Sequence, residues 1–205
     1  MATYLVEGRG SKSFAEIKRL LFAAPETAHS LLATCAATVG RYLAAQVEAG
    51  AQAAMLFDTW ASLLAPGDYR EFALPYVRRV FADVERAAIQ TGLDVPRIYY
   101  AGNAAGWLEA CAETGATVIG LDWRIDLDRA RTTFGDRVAL QGNLDPTVLL
   151  GSTAAIGARA ADVIRCAGPA GHIFNLGHGI LPDTSPDHAR FLVDAVAELS
   201  ATRTA

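Results

Sequence analysis

Residues 117–146 read TVIGLDWRIDLDRARTTFGDRVALQGNLDP, and the fold is decided here. Two short, apolar, β-rich runs, Thr117–Leu121 and Val138–Gln141, enclose a segment of helical character. Runs of this length without polar alternation read as buried parallel strands. Asp126 before Leu127 stands where an N-cap belongs, and Gly135 follows the helical segment as a stop signal. A strand, a helix and a second strand in that order allow the two strands to lie parallel.

The same step repeats outward. Further strand-like runs occur at Ala53–Phe57, Arg97–Ala101 and His172–Leu176, with onsets about 20 to 45 residues apart. Between them, Leu32, Cys35, Val39, Leu43 and Val47 form one helical stripe, closed by Gly50. Ser13-Phe14-Ala15-Glu16 reads as a capping box, and Asp68 before Tyr69 as a further N-cap. Pro75 is expected to split or kink its helix; Gly92, Gly115 and Gly168 follow later helical segments. No linker or repeat interrupts this order, so residues 1–205 are expected to form a single α/β domain with a parallel sheet covered by helices. Five strands are too few to close an eight-stranded barrel, and the residues alone leave an open five-stranded sheet standing beside a partial barrel.

Composition narrows the class. The chain is 52% hydrophobic and 20% charged, which suits a globular protein with a sizeable core. A net charge of -4 gives no footing for nucleic acid or an anionic membrane, and Arg78-Arg79 reads as a solvated helix face. No apolar stretch approaches membrane-helix length, and no signal-peptide pattern follows Met1. Cys35, Cys111 and Cys166 are odd in number, scattered and without CxxC spacing, so they read as small buried hydrophobes in a reducing cytoplasm. His29, His172 and His188 are scattered and lack metal-ligand spacing, so no metal site is expected.

Polar residues cluster directly after the strands: Asp58-Thr59-Trp60, Asn103, Asp122-Trp123, Asn143-Leu144-Asp145 and Asn175 to His178. In α/β barrels and open sheets alike, ligands bind at that rim. His178 lies between Gly177 and Gly179, where small neighbours let a ligand approach and an imidazole can pair with a carboxylate or move a proton. Satisfying a loop carbonyl is its other reading. Asp145 before Pro146 fits a cap of the next short helix, and Asp122 either orients the rim or belongs to a surface turn.

Tyr4-Leu5-Val6-Glu7-Gly8, Gly120-Leu121-Asp122-Trp123, Leu140-Gln141-Gly142-Asn143-Leu144-Asp145-Pro146 and Asn175-Leu176-Gly177-His178-Gly179 together resemble uroporphyrinogen decarboxylase in order and spacing. The resemblance covers essentially the whole chain. It implies a (β/α)8 barrel represented by strands four to eight, and a metal-free, cofactor-free decarboxylation of the acetate side chains of uroporphyrinogen to give coproporphyrinogen. It also implies substrate contacts at Tyr4, at Thr59 (where many members carry serine) and at His178. No catalytic residue is assigned: the family's Arg-Gln-Ala-Gly-Arg segment and the Phe-Ser-Asp segment bearing its catalytic aspartate are expected upstream of Tyr4, and Asp58 and Asp122 match other family positions. Gly8-Arg9-Gly10 replaces a run of three glycines common in the family.

The resemblance therefore describes a chain that begins within a domain. Such a chain would leave the edges of strands four and eight open, and is expected to be unstable, aggregation-prone or dependent on a partner. The intact family commonly forms homodimers. Two other readings stand beside it: a non-catalytic module that holds tetrapyrroles or complements a partner, and a related cobalamin-linked methyltransferase. The latter binds zinc through Cys and His, and no cysteine adjoins His178.

Overall fold

The computed structural model describes residues 1–8 and 13–201, which divide into two compact units. The first comprises Met1–Gly102 and Gly106–Thr117, the second Asn103–Ala105 and Val118 onward.

The first unit contains α1 (Ala2–Glu7), α2 (Ala15–Ala23), α3 (Pro25–Glu48), β1 (Ala54–Phe57), α4 (Pro66–Phe72), α5 (Leu74–Thr91), β2 (Arg97–Tyr100) and α6 (Leu108–Cys111). β1 and β2 are parallel, with Ala54 opposite Arg97 and Phe57 opposite Tyr100. Its core forms where α3 meets α5: Leu43 and Val47 of the expected stripe, with Ala36, pack with Val80, Val84 and Ala87 of α5 and with Val95, which precedes β2, while Val39 is only partly buried against them. Each fully buried valine among them contributes about 1.5–3 kcal/mol of transfer free energy, which fixes the helix pair in register. Pro75 acts as expected, since α4 and α5 are separate helices and the proline occupies the first turn of the second, where its missing N–H costs nothing.

Two capping expectations are corrected. α2 starts at Ala15 after Phe14, which adopts a left-handed φ of 51°, and Ser13 makes no cap. The Glu7 carboxylate accepts instead from the Glu16 and Ile17 N–H groups, both at 3.0 Å, so a residue nine or ten positions earlier satisfies the orphan donors. α4 is entered through Ala65 with Pro66 at its first position, which places Asp68 in the first turn and not at the cap. Arg9 and Gly10, the departure from the triple glycine, lie outside the described residues.

The second unit contains β3 (Val118–Gly120), α7 (Leu127–Phe134), β4 (Ala139–Leu144), α8 (Thr153–Ala167), β5 (His172–Leu176) and α9 (Pro186–Ala201). β3 pairs with β4 and β4 with β5, all parallel. β4 runs three residues further than the sequence suggests, because Asn143 and Leu144 stay in register with Asn175 and Leu176. Leu144, Leu149, Ile156, Ala160 and Leu192 form the core beneath α8 and α9. Asp126 caps α7 through the Asp128 N–H at 3.0 Å, and Asp145 accepts from both the N–H and the hydroxyl of Thr147. Both caps fall where the sequence puts them. Each unit thus consists of parallel strands followed by helices, the construction of part of a (β/α)8 barrel.

Among the described residues no helix is long and apolar enough to cross a membrane. The three cysteines are free thiols; Cys111 is buried and Cys35 and Cys166 are half-buried. Arg78 is more than a solvated charge, since it reaches the carbonyl and the carboxylate of Glu113 while Arg70 takes the other carboxylate oxygen.

Candidate functional site

In the first unit the rim is built on the end of β1. The Asp58 N–H donates to Tyr100 O at 2.8 Å, which extends the ladder one residue past the strand, and a 3-10 turn over Thr59–Leu63 then turns the chain away. Thr59 opens that turn and is exposed. The Trp60 ring beside it packs on Phe14 at 4.6 Å between centroids and meets Tyr4 edge-on at 6.5 Å. Trp60 thereby brings Tyr4 and Thr59 to one place, with Tyr4 60% exposed. A cavity of about 200 Å³ opens next to them, lined by Thr3, Lys18, Asp58 and Trp60 among largely apolar side chains such as Leu32, Val39 and Leu56.

Asp58 is the unexpected element of this rim. Tyr99 donates to its Oδ2 at 3.1 Å, and the Tyr69 hydroxyl donates to Tyr99 at 3.1 Å. Both tyrosines are fully buried, and Tyr69 stacks on Trp107 at 3.8 Å. Burial raises the Asp58 carboxyl above its ordinary range, and the Tyr99 donor offsets part of that rise. Burial likewise pushes both phenols up, so they remain neutral hydrogen-bond donors, and it pushes the Cys111 thiol up to about 12, which leaves that cysteine inert. The sequence held one overlooked signal for this chain: tyrosine hydroxyls on a buried strand and helix require partners.

In the second unit three strand ends interlock. Asp122, at the end of β3, is fully buried and accepts from the backbone N–H groups of Asn103 and Arg124. It therefore orients the rim and is no surface turn. The buried Asn143 amide on β4 donates to the carbonyls of Asp122 and Ile125, at 3.0 and 2.6 Å. Gly142, with a φ of 130°, lies so near Leu121 that a Cβ would approach its carbonyl oxygen to 2.6 Å. At Gly177, after β5, a Cβ would come within 2.5 Å of the Trp123 nitrogen. Glycine is required at both positions by contact with backbone, which cannot step aside.

That contact seats His178 against Trp123, the two rings meeting edge-on at 6.3 Å. His178 is exposed, and the carbonyl-binding histidines are others: His172 contacts Gly142 O at 2.6 Å and His188 contacts Leu149 O at 2.8 Å. Arg124 lies over the Trp123 ring at 4.1 Å, a feature the sequence reading did not single out. Among the described residues no cluster of three His, Cys, Asp or Glu side chains is placed to hold a metal ion. Tyr4 and Thr59 thus belong to the first unit and His178 to the second.

Comparison with known proteins places the chain in a family. Residues 1–199 match the family model described as Uroporphyrinogen decarboxylase (URO-D). Curated relatives named uroporphyrinogen decarboxylase include those of Gloeobacter violaceus, 48% identical over 200 residues, and Sodalis glossinidius, 49% identical over 201 residues. Each alignment covers 98% of this chain and 56% of the relative, so the chain spans little more than half the length of the relatives it matches. A solved structure titled as a methyltransferase from Methanosarcina mazei aligns with a TM-score of 0.78 over 96% of this chain and 62% of its own, at 20% identity. At that identity the likeness is one of fold alone. The chain belongs to the uroporphyrinogen decarboxylase family.

Proposed function

We propose that this chain is the strand-four-to-eight portion, one partial barrel domain over residues 1–205, of a carboxy-lyase that converts uroporphyrinogen III to coproporphyrinogen III and carbon dioxide in porphyrin and heme biosynthesis. The observation that carries the reading is the alignment of nearly the whole chain with relatives of that name at close to half identity. Tyr4, Thr59 and His178 are the proposed substrate contacts. Tyr4 and Thr59 offer hydroxyls beside an indole face, and His178 offers an imidazole to a substrate carboxylate. Loss of carbon dioxide from an acetate side chain leaves carbanion character next to a pyrrole ring, and protonation of that ring makes it an electron sink. A carboxylate near the ring nitrogens would stabilise the cation. None of the carboxylates in this chain is assigned that task; its residues bind and orient the substrate. The protein would act without metal or organic cofactor, in the cytoplasm, as a homodimer, and without nucleic-acid or membrane partners.

A second reading is favoured by the first unit, where the apolar cavity adjoins β1. In it the chain is a non-catalytic module that holds tetrapyrroles or complements a partner polypeptide. A titration of uroporphyrin into the chain, run beside a turnover assay, tests both. We expect binding by the chain alone. Coproporphyrinogen should form once the part of the Gloeobacter violaceus relative that has no counterpart here is added. Absence of binding both by the chain alone and after that addition removes both readings; binding with no turnover after that addition leaves only the module.

A further inference from the structure

Trp123 and Arg124 follow β3, and His178 follows β5. The tight seat of Gly177 on the Trp123 backbone holds the two segments together. The result is a cation over one indole face and an imidazole at the ring edge, at 4.1 and 6.3 Å. Arg124 has an obvious neighbour in Asp122, but at 3.6 Å, and that buried carboxylate already accepts from two backbone N–H groups. Both of its carboxylate oxygens are therefore engaged by hydrogen bonds from the main chain, and the guanidinium is not needed to satisfy them. The Arg124 side chain is 51% exposed and its guanidinium lies over the Trp123 ring, a cation–π contact that favours this position. A pre-positioned guanidinium loses little entropy on forming a bidentate pair with a carboxylate.

We propose that Trp123, Arg124 and His178 form a cradle for a carboxylate borne on a flat aromatic ring, with Arg124 as the residue that takes the carboxylate. The inference rests on the tetrapyrrole reading above and adds to it a binding residue in the second unit. Trp123 supplies the apolar face for the ring system, and His178 a second donor at its edge. In a pair of this exposure the attraction is electrostatic and sensitive to screening by salt.

The test is a Soret-band titration of uroporphyrin against the wild-type chain, Arg124→Ala and Arg124→Gln, at low and at high ionic strength. The glutamine variant keeps a stem and a hydrogen-bonding end over Trp123 while removing the charge, and it carries the test should the alanine variant fold poorly. At low ionic strength we expect both variants to bind at least tenfold more weakly than wild type, with the gap closing to within about threefold at high ionic strength. A merely structural Arg124 would lower the thermal midpoint and give a loss independent of salt. That pattern, or variants that bind within twofold of wild type, overturns the assignment while leaving the tetrapyrrole reading intact. A wild-type chain that does not bind uroporphyrin at either ionic strength, alone or with the missing part of the Gloeobacter violaceus relative added, overturns both.

Discussion

Asp58 shows how one side chain couples the rim to the core. Its proton is held more tightly in the folded protein than in the unfolded chain, because burial disfavours the charged form and the single Tyr99 donor does not fully compensate. The stability that this proton contributes is complete below the ordinary carboxyl value of 3.8 and is lost as the pH rises through the higher folded value. Asp58→Asn removes the titration while keeping an acceptor for Tyr99. It should therefore raise the thermal midpoint at neutral pH, with the advantage shrinking steadily as the pH is lowered toward the carboxylate range; an advantage that grows on acidification would contradict the account. The Asp145 cap was legible in the sequence because donor and acceptor lie two residues apart. The Asp58–Tyr99–Tyr69 chain was not, since its links span 41 and 30 residues and only the fold closes them. Arg124 escaped notice for the same reason: nothing in an Asp-Trp-Arg triplet announces that the guanidinium folds back over its neighbour.

At the scale of elements, the two glycines around His178 make a matched pair. A Cβ at Gly177 would meet the Trp123 nitrogen and the Asp122 backbone, whereas at Gly179 it would meet nothing within 4 Å. Gly177→Ala should cost ~1–3 kcal/mol of stability by overpacking. Gly179→Ala should stay within about 0.5 kcal/mol of wild type. Denaturant titrations of the two variants check the difference, and equal midpoints would show that the β5 loop yields without cost. Most strand and helix positions were readable from apolar runs, from Pro75 and from the glycine stops, because these signals act over a few residues. In the sequence β4 ends at Gln141, because Gly142-Asn143 looks like a turn. It continues to Leu144 because β5 pairs along it and Asn143 finds two carbonyl partners inside the unit. The start of α2 differs from the Ser13 capping box that the sequence suggests, because its donors are met by Glu7 from another helix.

At the scale of the molecule, β1 is more exposed than β2 in the first unit, and β5 more exposed than β4 in the second. Among the described residues β1 pairs with β2 and β5 with β4, and with no other strand; Phe57 is 65% and Ile173 44% exposed. Open parallel edges with apolar side chains invite association. Sedimentation velocity should show a weight-average mass that grows with concentration, and Phe57→Lys should reduce that growth; a mass independent of concentration would exclude it. The family was legible from four motifs together, since each depends on local backbone demands that the sequence must spell out. Which of the proposed contacts share a unit was not legible, because it follows from packing of whole helices. The placement of the indoles has a practical corollary. Trp60 and Trp107 sit in the first unit and Trp123 sits in the second. Emission from a Trp123→Phe chain then reports melting of the first unit alone, and subtraction from the parent signal isolates the second, so the optical properties already present let the two units be followed as separate clocks.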